Sequence, residues 1–138
     1  LQLHSSIKRE KMEELYVLLD KWMNEFFGIY LKLSLVMKGS ISYNDYLDQV
    51  NASSTSGVDF TRIEMIINIY GIELSNSFKS VIDARSGVND IDVQHNRAYK
   101  NGDLDGTRFL EPYTQANLLL ESRIEELKAS VAELARSA

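Results

Sequence analysis

An apolar stripe that holds its rhythm for eight positions near the start of the chain constrains the fold more than any other feature. Met12, Leu15, Leu19, Trp22, Phe26, Ile29, Leu33 and Val36 follow one another at spacings of three and four. That rhythm puts all eight on one side of a single helix. Tyr16, Met23, Phe27 and Tyr30 widen the apolar side, enough to meet two neighbouring helices. A rod with one greasy and one wet face must bury the greasy face against other elements. The spacing predicts a helix starting just after Ser5 or Ser6, either of which can cap free backbone N–H groups. It runs to Lys38, which suits the negative end of the helix dipole, and Gly39 is its natural stop.

The rest of the chain repeats the theme. Ser42–Val50 reads as a short helix, with Tyr43, Tyr46, Leu47 and Val50 on one side and Ser42 and Asp45 at capping-box spacing. The small polar run Asn51–Gly57 reads as a loop. Phe60–Tyr70 places Ile63, Ile66, Ile67 and Tyr70 on a helical face. Residues 65–70 also suit a strand, but no other segment offers a pairing partner. A third long helix covers Glu73–Lys100, marked by Leu74, Phe78, Val81, Val88, Ile91 and Ala98; Arg85 and His95 fall on or near its stripe and Gly87 weakens its middle. The last helix is expected from Glu111 or Pro112 to Arg136, with proline in the first turn, where its missing N–H costs nothing. A start near Thr107 would instead have Pro112 bend it. Three long rods and one broken rod predict an all-α fold: an up-and-down four-helix bundle with an interrupted second helix, in one domain over 1–138.

Composition narrows the functional classes. With 138 residues, 44% hydrophobic and 25% charged, the chain suits one globular domain rather than a disordered segment. A net charge of −5 argues against nucleic acid as partner, since phosphate binding needs a clustered positive surface. Lys8, Arg9 and Lys11 cluster, but Glu10, Glu13 and Glu14 are interleaved with them. No cysteine is present, which rules out disulfides, thiolate catalysis and zinc–sulfur sites. The apolar run Phe26–Met37 is broken by Lys32 and falls short of the ~20 residues a membrane span requires. Because the chain opens Leu-Gln-Leu-His, it reads as a piece of a longer protein, and a membrane anchor ahead of Leu1 is one expectation.

Few residues suggest chemistry. Asn101, Asp103 and Asp105, followed by Gly106, place oxygen side chains at alternate positions, as in the first half of an EF-hand calcium loop. The resemblance covers six residues and then fails: the position of the family's bidentate Glu falls on Pro112, and Arg108 stands where an apolar residue is usual. A polar interhelical turn explains the same residues without calcium, and no cofactor is expected. Asp92 and His95 lie one helical turn apart, as in half of a di-iron motif; the only other histidine, His4, is near the terminus, so one subunit cannot complete such a site. No nucleophile elbow, phosphate loop or zinc-protease signature is present. Asn51-Ala52-Ser53 matches a glycosylation sequon, which matters only in a secreted eukaryotic protein.

Two apolar sets have an interaction reading as well as a packing one. Trp22, Phe26, Phe27 and Tyr30 suit core packing first and a small-molecule pocket second. Leu120, Ile124, Leu127, Val131 and Leu134 repeat the four-three spacing of a coiled-coil seam, with Asn117 extending it. This stripe serves equally for intramolecular packing or as a self-association surface. Tyr43, Tyr46, Tyr99 and Tyr113 fall near helix ends and suggest a partner surface. The expected function is a non-enzymatic helical-bundle module for contact with a protein partner or for assembly, with the soluble part of a membrane-anchored bacterial protein as one form of it. The alternative is a ligand- or calcium-sensing helical domain.

Overall fold

Helix α1 spans Gln2–Met37 in the computed structural model, which describes residues 2–53 and 58–138. Its 36 residues make a rod of about 54 Å. It begins earlier than the serine caps suggest. Ser5 and Ser6 are inside the helix, because no residue near the start breaks one and added turns propagate cheaply. The far end behaves as expected. Gly39 adopts φ 81°, and Ser40 N–H donates to the Leu35 carbonyl at 2.9 Å, closing the terminus as only a left-handed residue can. Of the eight-residue stripe, Met12, Leu15, Leu19, Trp22, Leu33 and Val36 are buried and Phe26 is half-buried. Ile29 is 36% exposed. It sits one turn beyond Glu25, whose carboxylate accepts from Val58 N–H at 3.1 Å.

Four more helices follow: α2 Tyr43–Ser53, α3 Phe60–Tyr70, α4 Ser75–Lys100 and α5 Thr107–Ser137. Among the described residues there is no strand, so the molecule is an all-α helical bundle. The alternative strand at 65–70 is helix α3. Asp59 caps it by accepting from Arg62 N–H at 3.2 Å. Ser42 does the same for α2, accepting from Asp45 N–H at 3.1 Å. The expected loop at 51–57 is helical over its first three residues, and 54–57 lie outside the described residues. A single 3-10 turn, Ile72–Leu74, precedes α4. Gly71 ends α3 close under Met12, whose Cε would lie 3.1 Å from an added Cβ.

Helix α5 is the central element and packs along both α1 and α4. It runs antiparallel to α1: the Arg9 guanidinium donates to the carbonyls of Ala135 and Ala138, satisfying otherwise open acceptors at the end of α5. At the other end Gly106 lies against Met37. α3 crosses the first half of α1, where Glu14 and Arg62 form a bidentate ion pair, and α2 meets the upper end of α4 through Tyr43 and Tyr99. The start of α5 differs from expectation. It begins at Thr107, whose N–H and hydroxyl both donate to Asp105, so Pro112 is interior. The ladder there loses one N–H donor. Arg85, on the apolar side of α4, reaches over the Phe60 ring at 4.8 Å and the Trp22 ring at 5.8 Å. Its charge is placed against π faces rather than left in hydrocarbon.

Candidate functional site

The turn that resembles half a calcium loop uses its oxygens locally. Asp103 accepts from Asp105 N–H at 3.3 Å and pairs with Arg108. Asp105 accepts twice from Thr107, and those bonds hold its carboxyl below the usual carboxylate range. Asn101 closes α4 through its backbone N–H. Among the described residues no group of three or more His, Asp or Glu converges as a metal would require.

The stripe on α5 faces inward. Leu120, Ile124, Leu127 and Val131 are at most 2% exposed, and Leu134 packs partly buried beside them. Packing against α1 and α4 therefore uses the surface that the seam reading offered for self-association. Asn117 turns back on its own helix and donates to the Tyr113 carbonyl at 2.8 Å. Lys128, although 6% exposed, keeps its ammonium on Asp20 at 2.8 Å and over the Tyr16 ring at 5.0 Å.

The four tyrosines read as a partner surface converge inward instead, around Asp92 and His95. Tyr46 and Tyr113 are buried, and Tyr43 and Tyr99 are half-buried. Tyr43 is the hub. Its ring centroid is 5.2 Å from Tyr99, 5.5 Å from Tyr46 and 6.1 Å from His95. Its hydroxyl accepts from the Asn96 amide at 2.5 Å, and Tyr99 accepts from Tyr43 N–H at 3.4 Å. His95 is 2% exposed and its Nδ1 has no hydrogen-bond partner among the described residues. Burial, with the nearby Arg108 charge, lowers its pKa and keeps the imidazole neutral. Asp92 has the opposite problem: burial raises its carboxyl pKa, and among the described residues no hydrogen bond or ion pair offsets the cost. Burial, helped by the Asp92 charge, pushes Tyr46 up to about 12 and Tyr113 higher still.

On the outer side of this cluster is a polar cleft of about 320 Å³, lined by Tyr43, Asp92, Val93, Asn96, Arg97 and Lys100. Positions 92, 93, 96, 97 and 100 are one face of α4, a spacing visible in the sequence. What the sequence does not show is Tyr43 arriving from α2 to wall it.

A second cleft, of about 280 Å³, lies between α1 and α5. Met23, Phe26, Phe27 and Tyr30 line one side, and Leu118, Leu120 and Ile124 the other. The aromatic set thus divides. Trp22 is core, in edge contact with Phe26 at 5.0 Å, while Phe26, Phe27 and Tyr30 open onto the cleft. Phe27 and Leu118 on its rim are each 53% exposed. Beside the rim Leu31 and Leu35 continue from Phe27 at helical spacing, 51% and 40% exposed, with Leu119 at 47% on α5.

The class that this fold defines is the all-α helical bundle. Comparison with family models, with curated proteins and with solved structures finds no match to this chain. No helix among the described residues is long and apolar enough to cross a membrane.

Proposed function

We propose that this chain is a non-enzymatic assembly module that pairs with a second copy of itself through the α1–α5 face. The supporting observation is an exposed apolar ridge, Phe27, Leu31 and Leu35, standing beside an apolar cleft on the same face. Exposed apolar side chains scattered singly are ordinary; contiguous ones mark contact surfaces. A ridge next to a groove is self-complementary under a two-fold axis, since each copy's ridge can enter the other's groove. Phe27 suits the role of anchor, because aromatic side chains that fill a desolvated pocket dominate interface energetics. Polar groups at the cleft, Asn24, Asn117 and Glu121, fix orientation.

The test is molar mass by light scattering over roughly a hundredfold concentration range. A dimer is expected for the unaltered chain, and a monomer with unchanged helicity for Phe27→Glu combined with Leu118→Glu. Both side chains are over half exposed, so the fold should survive. A monomer throughout, or a dimer indifferent to these substitutions, overturns the assignment. Protein partners other than a second copy, and a membrane tether, belong to the same reading of the chain as a contact module.

A further inference from the structure

We infer that the polar cleft on α4 is a binding site for a free dicarboxylic amino acid. Among the described residues its three charged side chains form no ion pair. Asp92 makes no hydrogen bond or ion pair, and neither Arg97 nor Lys100 forms a side-chain hydrogen bond or ion pair among the described residues. Surface cations often stand alone. A half-buried carboxylate seldom does, because removal from water without a donor costs free energy. A bound ammonium group would supply that donor and the missing charge together.

The arrangement along the helix sets the rest of the ligand. Arg97 is five residues beyond Asp92 and Lys100 eight, a rise of about 7.5 and 12 Å between Cα positions. Helical side chains lean toward the N-terminus, so the long Arg97 and Lys100 side chains can reach a ligand seated between them and Asp92. One anion and two cations on a single face are complemented by one ammonium and two carboxylates. The Arg97 fork favours a carboxylate in particular. Asn96, also in the cleft wall, has its amide nitrogen on the Tyr43 hydroxyl and keeps its carboxamide oxygen as a further acceptor. A volume of about 320 Å³ suits a molecule of this size.

The site is independent of the assembly face, which lies on α1 and α5. Its test is a thermal melt with L-glutamate, L-aspartate, glutarate or ethylamine, each at about 10 mM. Glutamate or aspartate should raise the melting temperature by about 2–6 °C, and glutarate and ethylamine by clearly less. Asp92→Asn should bring the response to glutamate down to that of glutarate, and Arg97→Gln with Lys100→Gln should bring it down to that of ethylamine. Far-UV circular dichroism verifies that each variant is folded. The inference fails if no amino acid shifts the melt, if glutarate acts as well as glutamate, or if the response survives Asp92→Asn. Light scattering on the same samples separates this result from the dimer test.

Discussion

At the residue scale, the junction where α1, α4 and α5 meet is the least forgiving place in the molecule. A Cβ on Gly106 would lie 2.8 Å from the Met37 Cα and 2.9 Å from His95 Nε2. One of those neighbours is backbone and cannot swing aside. Gly106→Ala should therefore destabilise by about 1–3 kcal/mol in urea unfolding. The two titratable groups nearby pull in opposite directions with pH. His95 binds its proton less tightly folded than at its ordinary value of 6.5, so its contribution is fully present above that value and is lost as pH falls toward the lowered one. Asp92 binds its proton more tightly folded than at its ordinary 3.8. It costs stability at neutral pH, and the cost is relieved as the carboxyl protonates. Two results are expected. Asp92→Asn should be more stable than the unaltered chain near pH 7, and the loss of stability below about pH 6.5 should shrink in His95→Phe. An equal acid loss in that variant would place the responsible proton elsewhere.

The helices themselves show what a linear pattern carries and what it does not. α1, α3 and the stop at Gly39 were legible, because three-four spacing and a glycine are local signals. Pro112 favoured a start of α5 at 111 or 112, since the signal for a first-turn proline is local too, but the Asp105–Thr107 bonds start the helix at Thr107, the alternative that leaves the proline interior. The α5 stripe was legible as apolar and ambiguous in destination, since a helix packs on its own chain or on another with the same face. The structure gives it to α1 and α4, so Leu127→Glu should unfold the chain, whereas Leu118→Glu, across the helix at 53% exposure, should leave circular dichroism unchanged. Leu19→Ala, at a fully buried α1 position, should cost about 2–5 kcal/mol by denaturant titration. Neither cleft was legible as a whole. The α4 charges share a face in the sequence, but Tyr43 joins that face through Asn96 from a separation of 53 residues, and no periodicity encodes that meeting.

For the whole molecule, the two clefts lie on different helix pairs: one on α1 and α5, the other on α4 beside α2. The proposed assembly and the proposed ligand capture can therefore be tested separately. Mutations at Phe27 and Leu118 should leave the amino-acid response of the melt intact, and Asp92→Asn should leave the molar mass unchanged, as expected for distant sites with no shared partners. The Arg85 guanidinium has a further consequence. It sits between Phe60 and the chain's single indole, Trp22, which also touches Phe26. Fluorescence at one wavelength thus reads whether three rods are seated together. A shift of that emission toward longer wavelength would mark their parting without any dye or label.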